Sequence, residues 1–352
     1  MELIHGGDVT GYELAYGRPP LDFSASLNPF GLPCGVAAAA REAIDRSVPY
    51  PDPLCRKLRA ALADRLGIGE ESIFCGNGAA DVIFRIALAR RPKKALLTAP
   101  TFAEYEKALR CSGADIAYHF LKRKNAFALG RDFLETLTPD IGIAFVCQPN
   151  NPTGQLVDRE LLREILKRCE DNGTLLALDE CFVPFVDRPE EVSLLSSISA
   201  HPLLLIIGSF TKLYAMAGLR LGYAACSDRR FMEHIDRAGP PWSVSTVAQA
   251  AGLAALEETA YVSASLAALR AEREWLSGRL TAMGIASTGS ANFLFFHCAY
   301  PNLHRSLADQ GILIRNCGNF RGLTQGDFRI AVRLRHENEA LIDALNQALG
   351  RQ

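Results

Sequence analysis

Five apolar runs limit what this chain can fold into. KALLTA (94–99), IGIAFVC (141–147), GTLLALDE (173–180), LLLIIGS (203–209) and LGYAAC (221–226) are nearly unbroken in Leu, Ile, Val, Ala, Phe and Cys. A strand with one wet face alternates apolar and polar residues. A strand apolar at successive positions is buried on both faces, the condition inside a mainly parallel sheet covered by helices. Helical periodicity fills the intervals, over about 79–90, 102–112 and 158–171, and Asp158 stands where the third of these needs an N-cap. Strand and helix in alternation predict an α/β fold, doubly wound with right-handed crossovers. In that architecture ligands collect at the carboxyl ends of the strands.

After about residue 240 the pattern changes. GPPWSVS (239–245) breaks it, and long helical patterns follow at about 246–257 and 260–283. ANFLFFHC, GILIRNC and DFRIAVR read as strands, with a helix at about 302–310 and another from about 337. The expected organisation is a large α/β domain over 46–240 and a smaller α+β domain made of 1–45 and 241–352, the extended DFSASLNPFG belonging to the latter. With 38 basic residues against 39 acidic, the chain has no basic field to grip nucleic acid. No apolar run reaches the roughly 18 residues of a membrane span. MELIHGGDVT lacks a secretory signal pattern. The ten cysteines show no C-x-x-C spacing and read as reduced thiols in the cytoplasm, with no metal site expected.

Four stretches fall where predicted strands end or helices begin: CGNGAAD (75–81), CQPNNPTG (147–154), LDEC (178–181) and GSFTK (208–212). Each alone has an ordinary use. Gly76, Gly78, Ala79 and Ala80 suit a loop entering a helix, and NNPTG suits a turn. Asp179 and Glu180 suit solvated or capping carboxylates, and a lone lysine can reach water along its aliphatic stem. Lys212 is nevertheless unusual. Of eight lysines it alone stands among small, apolar and hydroxyl-bearing residues; the other seven, Lys107 included, have charged neighbours and read as surface. Taken together, the stretches supply the parts that pyridoxal phosphate chemistry requires. Lys212 is an amine for the cofactor's aldehyde, and Asp179 is a partner for its ring nitrogen. Ala79 and Ala80 at a helix start, with Ser209 and Arg220, form a cradle for its phosphate, and Asn151 is a donor to its 3-oxygen.

Further segments extend the pattern over nearly the whole chain: HGG (5–7), LDFSASLNPFG (21–31), YPDP (50–53), FAEYEKAL (102–109), PNNPTG (149–154), SFTKLYAMAGLRLGY (209–223), PWSVS (241–245), ILIRNCGNF (312–320) and FRIAVR (328–333). In this order they resemble the fold type I pyridoxal phosphate enzymes, the aspartate aminotransferase superfamily. Within it the chain is similar to histidinol-phosphate aminotransferases and, more closely, to threonine-phosphate decarboxylases of cobalamin biosynthesis. The resemblance implies a fold type I α/β enzyme with a mainly parallel sheet and a smaller α+β domain. It makes Lys212 the Schiff-base lysine, sets Tyr105, or else Phe102, against the cofactor ring, and sends Tyr50 to the phosphate of a neighbouring subunit, hence a homodimer. It assigns Arg329 to a substrate α-carboxylate, and Arg315, His5 and Gly6 to the substrate's phosphate, with Asn151 and Ser26 also touching substrate. The reaction implied is decarboxylation of O-phospho-L-threonine; the alternatives are transamination of a phosphorylated substrate and a non-catalytic cofactor-binding relative.

Two positions depart from these patterns. Phe182 stands where the histidinol-phosphate enzymes carry tyrosine, as in the decarboxylases, and Ser26 stands where the decarboxylase pattern carries asparagine. Other readings are structural. Arg315 and Arg329 also suit ion pairs within strands, and His5 also suits a free surface histidine. Arg333 and Arg335 suit a solvated face, and Trp242 a domain-junction anchor.

Overall fold

The computed structural model describes residues 5–300 and 302–350. Its centre is a seven-stranded sheet. The strands are β1 (Ile73–Gly76), β2 (Lys94–Ala99), β3 (Asp115–Phe120), β4 (Ile143–Cys147), β5 (Leu175–Asp179), β6 (Leu204–Ser209) and β7 (Gly222–Ala225). They lie in the order β1-β7-β6-β5-β4-β2-β3, and only β7 runs antiparallel to its neighbours. The five apolar runs are β2, β4, β5, β6 and β7. Their residues alternate between two separate cores: Leu97, Ala177, Leu205 and Ile207 pack on one face, Leu96, Leu176, Leu178 and Ile206 on the other. Both faces are apolar because helices cover both, which is why the runs are continuous.

Two strands escape the sequence reading for a physical reason. β3 is an edge strand whose DIAYHF is mostly half-buried or exposed. β1, at the other edge, is four residues long and ends at Gly76, with only Asn77 between it and the helix Gly78–Arg90. The helix Arg159–Asn172 begins as its sequence forecasts, with Asp158 Oδ1 accepting from Glu160 N–H and Leu161 N–H. The longer helices outside the sequence reading are Val9–Tyr16, Cys34–Ile44, Arg56–Leu66 and Arg229–Arg237. Cys34–Ile44 is an alanine-rich helix packed on Thr246–Glu257, where small residues on both allow close approach.

A second sheet of four antiparallel strands holds β8 (Ser287–Thr288), β9 (Phe293–His297), β10 (Arg315–Asn316) and β11 (Asp327–Ala331), in the order β10-β11-β9-β8. The segment after the first helix runs beside it: Leu21–Asp22 pairs in parallel with Ile312–Leu313, and Phe23 C=O accepts from Ala331 N–H. That segment then crosses to the central sheet, where Asn28 N–H bonds the carbonyl of Lys212 at 3.0 Å and Asn28 Nδ2 bonds that of Leu213 at 2.9 Å. The extended SASLNP thereby braces the Lys212 loop from the side of the small sheet.

Candidate active site

The parallel strands β4, β5 and β6 end side by side at one cavity of about 500 Å³, lined by Cys147 and Asp179 at the ends of β4 and β5 and by Thr211 and Lys212 just beyond the end of β6. β5 ends in Asp179. Its Oδ1 accepts from Cys181 N–H at 2.9 Å and its Oδ2 from the Tyr105 hydroxyl at 2.5 Å, so both carboxylate oxygens are engaged. The Tyr105 ring is fully buried and stacks on Phe145 at 4.9 Å between centroids. Burial first, then Asp179, holds the Tyr105 phenol well above its ordinary range, so the phenol is a donor. Tyr105 therefore reaches the cavity as the hydrogen-bond partner of Asp179. Phe102, half-buried in the same wall, is the aromatic not committed to a carboxylate.

β6 ends in Ser209, and the chain turns through Thr211 to Lys212. The Ser209 hydroxyl is set back from the wall, 2.6 Å from that of Thr211, and Thr211 is the hydroxyl in the wall. Lys212 lines the cavity with Nζ 4.8 Å from the centre of the Phe182 ring. Ala79 and Ala80 come from the first turn of the helix Gly78–Arg90, whose N-cap residue, Asn77, makes no side-chain cap. The first-turn N–H groups of a helix have no partners within it. Arg220 stands beside that turn: a Cβ on Gly78 would lie 2.5 Å from its Nη2. Gly222 lies behind, where a Cβ would meet the amide nitrogen of Ala79 at 2.5 Å. Arg220 itself has φ 58°, in the left-handed region that favours glycine. A long side chain there costs conformational energy and is kept for its guanidinium.

The opposite wall comes from the small sheet. Arg315 and Arg329 are paired residues of β10 and β11, directly across from each other, and both are buried, 8% and 7% exposed. Like charges in that relation repel. Burial, with a smaller contribution from Arg315, pushes the Arg329 guanidinium down to about 10, and it stays cationic near neutral pH. Arg329 Nη1 donates to Asn151 Oδ1 at 2.5 Å and Nη2 to Ser24 C=O at 2.9 Å; its Nε, like the hydroxyl of Ser26, has no hydrogen-bond partner among the described residues. Arg315 bonds Asn316 C=O and Asn319 Oδ1.

Over the mouth lies the N-terminal strap. His5 Nε2 donates to Glu104 Oε1 at 2.8 Å, Gly6 sits against Ser24 so closely that a Cβ would be 2.4 Å from its carbonyl oxygen, and Gly7 N–H bonds Ser24 Oγ at 2.7 Å.

Of the residues singled out from the sequence, the fold brings His5, Gly6, Ser26, Ala79, Ala80, Tyr105, Asn151, Asp179, Lys212, Arg220, Arg315 and Arg329 into the lining of one cavity. Tyr50 is not in it. That residue is 78% exposed and stacks on the exposed Trp242, 4.5 Å between centroids. Arg333 is not solvated as expected; it is half-buried, bonded to Glu337 and to Asp22 C=O. The sequence reading missed Thr211, Glu104 and Lys107. Lys107 was read as surface; its exposed side chain also lines the cavity, 3.7 Å from Glu104. Their spacing on the helix Ala103–Cys111, three residues apart, was the available signal.

Residues 18–345 match the family described as aminotransferase class I and II. A threonine-phosphate decarboxylase of Salmonella typhimurium is 37% identical over 98% of this chain and 96% of its own length. Among solved structures, a histidinol-phosphate aminotransferase of Clostridium acetobutylicum is 27% identical with a TM-score of 0.87, covering 94% of this chain and 99% of its own. An L-threonine-O-3-phosphate decarboxylase of Porphyromonas gingivalis is 25% identical with a TM-score of 0.83, over the same shares. Enzymes of both names share this backbone, so the fold does not choose between them. The chain belongs to the class I and II aminotransferase family.

Proposed function

We propose that this protein is a pyridoxal phosphate-dependent decarboxylase that converts O-phospho-L-threonine to (R)-1-aminopropan-2-yl phosphate and CO₂ in cobalamin biosynthesis. The observation that carries the reading is the pair Arg315 and Arg329, two buried cations held directly opposite each other beside Lys212. Such a pair is costly without anions and suits a substrate bearing two at once, a carboxylate and a phosphate. Similarity to the Salmonella enzyme along the whole chain and Phe182 beside Lys212 support it further.

The residues fit pyridoxal phosphate. Two glycines leave room between Arg220 and the start of the helix Gly78–Arg90, an arrangement that would hold the cofactor's phosphate with the N–H groups of Ala79 and Ala80 and the hydroxyls of Thr211 and Ser209. Asp179 would take the ring nitrogen, Asn151 the 3-oxygen, and Lys212 Nζ the aldehyde carbon. When bound, the cofactor supplies an electron sink for the pair left on the substrate's Cα.

The protein's own residues decide which bond breaks. Arg329 orients the carboxylate through its guanidinium, already fixed by Asn151 and Ser24. Arg315 and His5 hold the phosphate at the other end. Two fixed ends leave the substrate one orientation about Cα. The Cα–carboxylate bond breaks, its electron pair stays on Cα, and one proton replaces CO₂. Lys212 Nζ, once free of the cofactor, is the group in the wall able to carry that proton to Cα. Phe182 offers Lys212 an apolar face and no hydrogen bond.

The protein works as a cytoplasmic homodimer on this reading. Ile44, Val48, Tyr50, Leu54 and Trp242 are exposed apolar residues, Tyr50 stacked on Trp242, and burial of that stack against a second copy would carry Tyr50 toward the partner's cavity. The large domain spans 46–240, and 1–45 with 241–352 make the small one. Incubating the cofactor-loaded protein with O-phospho-L-threonine and no keto acid tests the reaction. Catalytic release of CO₂ supports it. A single amino transfer to the cofactor, reversed by 2-oxoglutarate and without CO₂, overturns it in favour of an aminotransferase.

A further inference from the structure

Glu104 is out of place in a cavity lined by Arg315, Arg329, Lys212 and Arg220. A carboxylate 8% exposed at the mouth of a site for a doubly anionic substrate would repel that substrate unless its charge were covered. It is covered. Oε1 accepts from His5 Nε2 at 2.8 Å, and Oε2 lies 3.7 Å from Lys107 Nζ, one turn along the same helix. The hydrogen bond from His5 is the largest influence that holds the Glu104 carboxyl below its usual range, against its burial. One oxygen therefore has a hydrogen-bond donor and the other an ammonium group at ion-pair distance, and His5, Glu104 and Lys107 all line the cavity.

The strap is built to make this contact. Gly6 rests on Ser24 where no side chain fits, Gly7 N–H is tied to Ser24 Oγ, and Ser24 Oγ in turn donates to Asp22 Oδ1 at 2.6 Å. The His5 ring also lies 5.7 Å from that of Phe102. These contacts bring the strap over the mouth; Glu104 is the group that fixes the ring of His5. With Nε2 committed to Glu104, Nδ1 is the ring nitrogen left for a ligand.

We infer that Glu104 is a positioning residue for substrate selection: it holds His5 and Lys107 together at the cavity mouth, and that pair reads the phosphate group of the substrate. The inference rests on the reading of the substrate as a phosphorylated amino acid. The roles are distinct. Arg329 reads the carboxylate that every amino acid carries, and Glu104, through His5 and Lys107, acts only on ligands that carry the phosphate.

The test compares two ligands on the cofactor-loaded enzyme: KM for O-phospho-L-threonine and Ki for L-threonine as a competitor without phosphate. Glu104→Ala raises KM for the phosphorylated substrate by about tenfold or more, the loss of one charge-assisted contact, while kcat and the Ki of L-threonine change by less than about twofold. Glu104→Gln keeps an acceptor for His5 Nε2 and restores most of that KM. Lys107→Met, at an exposed side chain whose removal leaves the fold intact, raises the same KM by about threefold and spares the Ki. A parallel loss for both ligands makes Glu104 merely structural and overturns the inference, as does a KM that no variant moves. A wild-type enzyme that binds O-phospho-L-threonine no better than L-threonine overturns the substrate reading itself. A wild type with that preference, kept in Glu104→Ala, overturns the role of Glu104 alone.

Discussion

On the wall built by the central sheet, Asp179 has a protein donor on each carboxylate oxygen, and the donors, Tyr105 and the Cys181 amide, are fully or almost fully buried. On the wall built by the small sheet, Arg315 faces Arg329 across the ladder, and Arg329 Nε and the Ser26 hydroxyl are buried without partners among the described residues. The first wall is satisfied by the protein alone and is rigid for that reason. The second holds unfavourable electrostatics that an anionic ligand would relieve. Stability is spent on the substrate side of the cavity and gained on the cofactor side.

Five substitutions break or sharpen this contrast, from the largest effect down. Lys212→Ala removes the amine between the walls, and CO₂ release should fall by about ten-thousandfold, measured at saturating cofactor. Arg329→Met removes one of the two opposed cations, and KM for a carboxylate substrate should rise about a hundredfold while urea unfolding shows little loss; a large loss of stability would mean that the like-charge pair is not strained. Glu180, the neighbour of Asp179, points into the protein and is bonded by the Ser193 hydroxyl and Leu194 N–H. Burial raises its carboxyl to about 7. The folded protein therefore binds this proton more tightly than the unfolded chain does. The stability it contributes is complete below about pH 4.5 and is lost as pH rises through about 7, by up to about 3 kcal/mol. Glu180→Gln should flatten that slope in denaturation curves taken across the window.

The two smallest effects should have opposite signs. Tyr105→Phe strips a donor from buried Asp179 and should cost about 1–3 kcal/mol of folding stability without cofactor, together with weaker cofactor binding by equilibrium dialysis. Ser26→Ala deletes a hydroxyl that has no partner, so stability should hold or rise by about 1 kcal/mol while KM for O-phospho-L-threonine rises a few-fold. If both variants destabilise alike, the two walls do not differ in the way described.

The wall on the central sheet was also the more legible in the sequence. Strands buried on both faces leave continuous apolar runs, and a residue that follows such a run, as Asp179 or Lys212 does, is placed at a strand end by counting alone. Tyr105 could be assigned to the site, yet its hydrogen bond to Asp179 depends on the packing of its ring against Phe145, which no local pattern records. Edge strand β3 was hidden by its half-wet composition, and β1 by its brevity. On the small-sheet side, the opposition of Arg315 and Arg329 is a matter of register between strands of distant sequence, and the contact of His5 with Glu104 joins residues 99 positions apart. Lys107 was read as surface and its side chain is exposed; what its charged neighbour Glu106 could not disclose is that the same helix turn sets it beside Glu104 at the cavity.

Tyr50 projects from its own chain in a stack with Trp242, away from the cavity that this chain encloses. On the two-fold arrangement proposed above, each site is assembled from a lysine of one chain and a tyrosine of the other, so inheritance of the site is divided. A chain carrying Lys212→Ala and a chain carrying Tyr50→Ala are each inactive as pure populations. Unfolded together and reassembled in equal amounts, they should recover about a quarter of native activity, because half of the dimers are hybrids and each hybrid contains one intact site. Two null alleles of this gene, placed in one cell, would then complement each other.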